Sequence, residues 1–343
     1  MKSAACGGQS DANGLSLHEH PDFTEDQGHF IPGTPERIDR GERMARRLTP
    51  NKPAGKQTAR IVRHELNASL RTLSQHDPSL EQLDEFVHDA RKRLKKVRSL
   101  LRLVREEMGP RAFHRENSSF RKSAQPLRDI RDAHVLIETL DRLTDSSSSA
   151  LSVRACSDLR EFLEARKQRA WTQFWGNGPG CKRVLRKLRK ARLRSHAWKL
   201  ARLGWSDLRQ GLKDVYVAGS QAFVIARANQ TTEHLHEWRK QVKCFWYQLQ
   251  VLGPVWRCVR DELGRELDVL AEILGEDHDL AILHQVVQSE VIAGGRDADL
   301  DDLTIVIDHR RSELERAAFE LGQRVYGYRP RAVIKQIERW WKA

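Results

Sequence analysis

From Lys56 onward, apolar residues return every three or four positions, and no run alternates apolar and polar as a half-buried strand does. Leu, Ala, Arg, Lys, Glu and Gln, all good helix formers, dominate the same stretch. Interruptions fall at His76-Asp77-Pro78, Gly109-Pro110, Ser146 to Ser149, Gly176 to Gly180, Gly204, Gly253-Pro254, Gly294-Gly295 and Gly327 to Pro330. Roughly ten helices of about 20 residues fit between them, longer than the usual globular helix. The pattern therefore predicts an all-α fold of elongated, antiparallel packed helices.

Residues 1 to about 54 break this pattern. They hold five of the 11 prolines and six of the 21 glycines, and among the first 35 the large apolar residues after Met1 are Leu15, Leu17, Phe23, Phe30 and Ile31. Such a segment cannot bury enough apolar surface to offset the entropy of ordering it. A disordered tail is expected over 1–54, turning basic at RIDRGERMARRLTP, with a helical domain over 55–343.

Within that domain, "HDARKRLKKVRSLLR" (88–102) carries seven Lys/Arg and one Asp. At 100° per residue, His88, Arg91, Lys95, Arg98 and Arg102 fall within about 80° of one another. Val87, Leu94, Val97, Leu101, Val104 and Met108 form a second stripe roughly 110° round. One face packs, and the flank beside it is a cationic rail. Like charges at i,i+4 repel, and a merely solubilising face usually mixes Glu among its Lys.

The arrangement occurs again. "HEWRKQVKCFWYQLQVLGP" begins at His236, 148 residues on, and His236, Arg239, Lys240 and Lys243 repeat the spacing of His88, Arg91, Lys92 and Lys95. Leu235, Val242, Phe245, Leu249 and Leu252 repeat the packing stripe. "LRDIRDAHVL" (127–136) answers "LGEDHDLAIL" (274–283), so Asp132 lies 44 residues after His88 and Asp279 lies 43 after His236. An internal repeat is a stronger signal than either copy. It predicts two similar halves, about 55–180 and 181–343, facing each other about a pseudo-twofold axis.

H-x-x-R-K-x-x-K twice, followed by L-R-D-x-R-D and L-G-x-x-x-D, resembles the CHAD domain family, from about Lys56 to Ala343. The resemblance implies two antiparallel four-helix-bundle-like halves whose basic faces line a central groove or pore that binds inorganic polyphosphate. It also implies that such domains occur beside triphosphatase domains or alone on polyphosphate granules. The second copy departs from the pattern, its rail continuing as Trp246 and Gln250 rather than Arg.

A phosphate polymer needs closely spaced donors on rigid elements. Arg forks two N–H groups onto one phosphate, and Lys acts as a flexible point charge. The expected contacts are Arg91, Lys95, Arg98 and Arg102 from the first rail and Arg239 and Lys243 from the second. Lys92 and Lys240 sit at the edge, and His88 and His236 begin the rails as N–H donors. An unperturbed imidazole titrates near 6.5, so affinity is expected to rise as pH falls from about 7.5 to 5.5. Asp132 and Asp279 have the wrong sign for phosphate and are expected behind the site, orienting Arg or His. A third rail, Arg183, Lys187, Lys190 and Arg194, lies in a stretch with nine Lys/Arg and no carboxylate from Lys182 to Lys199. It is expected to line the same groove. Arg128 and Arg131 are weaker candidates, and Arg324, Arg329, Arg331 and Lys335 are placed at one end.

Composition agrees with a polyanionic partner: 60 Lys+Arg against 47 Asp+Glu, net +13. No segment approaches 18 consecutive apolar residues and the N-terminus lacks an apolar signal core, so no membrane insertion is expected. Cys6, Cys156, Cys181, Cys244 and Cys258 form no C-x-x-C and read as thiols of a reducing cytoplasm. No nucleotide-binding or nucleophile-elbow motif occurs. His278-Asp279 and His284 hint at a metal-dependent phosphohydrolase, but position 278 answers Arg131, which is no metal ligand. No enzyme, cofactor or metal site is therefore expected. Nucleic-acid binding stands second, on net charge and nine tryptophans. A phosphohydrolase acting on phosphate polymers stands third. Trp171, Trp175, Trp198, Trp238 and Trp246 are assigned to helices, as core or groove wall.

Overall fold

The computed structural model describes residues 47–50, 52–75, 78–146, 151–176, 179–200, 203–294 and 298–342. Among these the chain forms thirteen α-helices and no strand. They are α1 Ala54–Leu73, α2 Leu80–Leu103, α3 Arg105–Met108, α4 Pro110–Ala124, α5 Pro126–Ser146, α6 Val153–Phe174 and α7 Gly180–Arg194. After a 3-10 turn at Ser195–Ala197 come α8 Trp205–Ala228, α9 Thr232–Val251, α10 Gly253–Val259, α11 Leu263–Gly294, α12 Ala298–Tyr326 and α13 Pro330–Lys342.

Each predicted interruption bounds a helix, but more helices form than the roughly ten expected, because local chemistry cuts the chain elsewhere too. Pro126 has no N–H to continue the ladder from α4. At the start of α9 the Thr231 hydroxyl accepts from the His234 N–H. Ser79 begins α2 with a capping box: Gln82 N donates to its hydroxyl, and its own N–H donates to the Gln82 side chain. Gly109, at φ 75, turns the chain between α3 and α4 where an L side chain would be strained. Trp198 lies in an irregular segment and Trp175 just past the end of α6, so neither belongs to a helix as expected.

Packing closes α1, α2, α4 and α7 into one ring of four, and α8, α9, α11 and α12 into another. Helix α7, which the division at 180 assigns to the second half, packs on α1 and α4. Its Val184, Leu188 and Ala191 join the core of the first ring, and Arg192 reaches Asn67 of α1. Sequence similarity between two halves says nothing about a helix outside the repeated motifs. The rails meet because α2 packs on α9, where Gln248 donates to the Ser99 carbonyl at 3.2 Å. Helices α5 and α6 pair off, and α5 lies against α11. Their shared apolar surface makes a second core, from Leu136 and Leu163 to Leu283 and Ile307.

Both packing stripes are buried: Val87, Leu94, Val97, Leu101 and Val104 in α2 and its end, and Leu235, Val242, Phe245, Leu249 and Leu252 in α9 and its end. The tail expected over 1–54 lies mostly outside the described residues. Its end is part of the domain, however. Leu48 is fully buried, donates to the Val251 carbonyl at 2.6 Å and accepts from Gly253 N at 2.9 Å. One leucine among polar neighbours gives no periodic signal, which is why this anchor escapes the sequence pattern.

Candidate functional site

The basic residues of α2 divide into two populations. Arg93 and Lys96 turn to α1, where both hold the buried carboxylate of Glu65, at 3.2 and 2.9 Å. Arg91 and Lys95, on the other flank, form no ion pair with a carboxylate among the described residues. Their electrostatic neighbours are mostly other cations: Arg128, Arg131 and Arg239 around Arg91, and Arg239, Arg91 and Lys243 around Lys95. Burial first, then this like-charge company, pushes the Lys95 ammonium down to about 7, although its side chain still reaches water.

From α9, Arg239 stands at the centre of this cluster. Its guanidinium lies along α11 at Gly275, where a β-carbon would sit 3.0 Å from Nη2. Without a side chain, Gly275 leaves room for Arg239. Lys243 lies 5.1 Å from the Trp246 ring centroid and shares the field of Asp268 with Lys92. Trp246, where an Arg would continue the rail, thus supports the preceding cation. Lys240 is exposed and pairs with Glu237 one turn back.

His88 and His236 begin their helix flanks inside the same field. Partial desolvation, then Arg131 and Lys92, lowers His88 to about 4, although the residue is exposed at the surface. Burial, then Lys240, Arg239 and Arg128, lowers His236 to about 4. Both imidazoles are therefore neutral at pH 7, not poised near 6.5 as an unperturbed ring would be. Asp132 accepts from Arg128 Nε at 2.9 Å, and Asp132 and Arg128 both lie beside Arg91. Asp279 is raised by burial while Arg239, Arg131 and Arg142 draw it down.

Farther along α2 the rail borders α4 as well as α9. Arg98 donates from Nε to Asn117 of α4 at 2.9 Å, and its charged neighbours are Arg102 and Arg121. The α7 residues lie on that side too. Lys187 donates to the Lys122 carbonyl at 3.3 Å, while Arg183 and Lys190 are exposed. Arg194, expected among the phosphate contacts, makes an ion pair within the fold. It donates from Nη2 and Nε to the fully buried Glu116 carboxylate, at 2.9 and 3.0 Å.

Sequence reasoning undervalued three residues of the cluster. Arg128 and Arg131 ranked low, and His278 was set aside with the metal reading. The His278 ring lies against that of His236, tilted by 32°, and is lowered to about 3, first by burial and then by His236, Arg239 and Arg128. Arg131 and His278 occupy equivalent places in the two downstream motifs, and that equivalence was the available signal.

An all-helical domain with two histidine-led basic helices packed on each other defines the class of protein. A family model for the CHAD domain matches residues 64–288, and the chain belongs to the CHAD domain family. The crystal structure of the CHAD domain from the plant Ricinus communis resembles it with a TM-score of 0.54 at 17% identity, over 87% of this chain and 94% of that one. That likeness is one of fold. No curated protein matches the chain.

Proposed function

We propose that this protein binds inorganic polyphosphate without transforming it, through two similar helical halves whose basic faces line a central groove. One observation carries the reading. On a single helix, Arg93 and Lys96 pair with Glu65, and Arg93 also with Asp89, whereas Arg91 and Lys95 form no ion pair among the described residues and, beside the fields of Asp132 and Asp279, stand among Arg239 and other cations. Unpaired cations that repel one another raise the energy of the free protein, and a polyanion entering among them relieves that repulsion. Lys95 reaches water and yet is crowded by protein, as a side chain on the wall of a concavity is. The correspondence of His88 with His236 and of Asp132 with Asp279 supports two related halves, with each aspartate steering the guanidinium groups beside it.

Polyphosphate needs no base-reading code, only donors, and Arg-to-phosphate forks are worth roughly 1.5–3 kcal/mol each when well formed. Hydrolysis is disfavoured by the company His278 keeps. Its neighbours are another imidazole and Arg239, Arg128 and Lys95, a field that repels a divalent cation. The same reading assigns the protein to polyphosphate granules in the cytoplasm.

Retention on immobilised polyphosphate tests the proposal. The Arg91→Glu, Lys95→Glu variant is expected to lose retention with unchanged helicity, while the same reversal at Arg43 and Arg46 of the tail has little effect. Polyphosphate is expected to outcompete DNA of matched charge at equal salt, and incubation with Mg²⁺ or Mn²⁺ to release no orthophosphate. Wild-type retention by the double reversal overturns the site. Preference for DNA favours the nucleic-acid reading, and metal-dependent phosphate release favours an enzyme.

A further inference from the structure

The cations of α7 form no part of the central cluster's field, yet they are connected to it. Helix α4 packs on α2 on one side and on α7 on the other. Across it, Arg98 of α2 has Arg121 of α4 as a charged neighbour, and Lys187 of α7 bonds the carbonyl of Lys122, the next residue. Arg121 and Lys122 are exposed, and so are Arg183, Arg186 and Lys190 on the outward side of α7. None of these five has a carboxylate within ion-pair distance among the described residues. Arg194, the one α7 cation with such a partner, is the one turned inward to Glu116. Positive charge thus runs without interruption by an acid from the inner rail, over α4, to the outer face of α7.

We infer that this is a track for the continuation of a long chain, so that the protein distinguishes polyphosphates by length. The inference rests on the polyphosphate reading above. A short oligomer is held by Arg91, Lys95, Arg239 and Lys243 alone. A long one leaves the rails past Arg98, crosses α4 at Arg121 and lies on α7, where each additional phosphate contact releases counterions. The outer segment adds affinity in the manner of a second, tethered site, because its ligand is delivered at high local concentration.

The test compares tripolyphosphate with long-chain polyphosphate on the full chain and on an Arg183→Gln, Arg186→Gln, Lys190→Gln variant. These side chains are exposed and unpaired, so circular dichroism and melting of the variant should match the parent. Long-chain affinity is expected to fall about tenfold, with the slope of log K against log salt shallower by about 2, three single-strand-like contacts being lost. Tripolyphosphate affinity is expected to stay within about twofold of the parent. Unchanged long-chain affinity overturns the track and returns α7 to a solvated face. Equal loss for both ligands overturns it too, since α7 then belongs to the inner site. If the parent binds neither ligand, the reading of the rails itself fails, a result distinct from the other two.

Discussion

The rings of His236 and His278 lie with centroids 4.1 Å apart and planes tilted by 32°, and the Nδ1 atoms of both are buried without a hydrogen-bond partner. Both stand among Arg239, Arg128 and other cations, and both are lowered, to about 4 and about 3. In the unfolded chain each titrates near 6.5. Above that value both states are neutral and the pair is without effect. Below it the unfolded chain takes up protons that the folded one refuses, so stability falls with pH until the folded pKa values are passed. Melting temperature should therefore drop between about pH 6.5 and 4, and the His236→Gln, His278→Gln variant should show a shallower drop.

Ligand binding alters the same equilibrium. Phosphate oxygens favour the imidazolium, so binding should take up protons in the interval between the depressed values of the free protein and the higher values of the complex. The rise in affinity should begin below about pH 6, lower than the window expected of unperturbed histidines. Calorimetry in buffers of differing ionisation enthalpy reads the uptake directly. Equal heats in all buffers at pH 5 would return both rings to a packing role.

Lys95 trades stability for binding. Its ammonium is lowered to about 7, against 10.5 in the unfolded chain. Between those values the unfolded chain holds the extra proton, so this residue makes stability rise with pH from about 7 to 10.5. Lys95→Met should raise Tm at pH 7 by about 2 °C, the size of a common stabilising substitution, while weakening polyphosphate binding. A lower Tm would contradict the account of repulsion.

Arg194 and Arg183 share one stripe of α7 and should behave differently. Removing Arg194 leaves the buried Glu116 carboxylate to Arg115 Nε alone, at 3.0 Å, and Arg194→Ala should cost about 2 kcal/mol in chemical denaturation. Adding Glu116→Gln should recover part of that loss. Arg183→Ala, at an exposed position without an acidic partner, should stay within about 0.5 kcal/mol of the parent.

Near the second core, His134 donates to Asp84 at 2.9 Å and to Glu138 at 3.1 Å, while Lys167 also holds Asp84. Hydrogen bonds to Asp84 and then Glu138 raise His134 to about 9. Its contribution is complete below about 6.5 and disappears as pH rises through about 9. Melting between pH 7 and 9.5 should show this loss, and His134→Gln, already without the charge, should be flatter over that range.

Helix boundaries, buried stripes and basic rails were legible in the sequence because each is a local property. A period of 3.6 residues, a glycine or proline stop and a flank 110° from the packing face need only neighbours along the chain. The repeated histidine, rail and aspartate were equally legible, being a comparison of the sequence with itself. Partners were not. Glu65 pairs with Arg93 and Lys96 but not with Arg91 or Lys95, which stand among them in the same charge run. Arg194 continues the stripe of Arg183, Lys187 and Lys190, yet Glu116, 78 residues away, removes it from the free cations. His278 meets His236 because α11 packs on α9. The charge that a Lys, Arg or His presents is decided by what the folded chain brings within a few ångströms of it, and that contact forms only when helices distant in sequence pack.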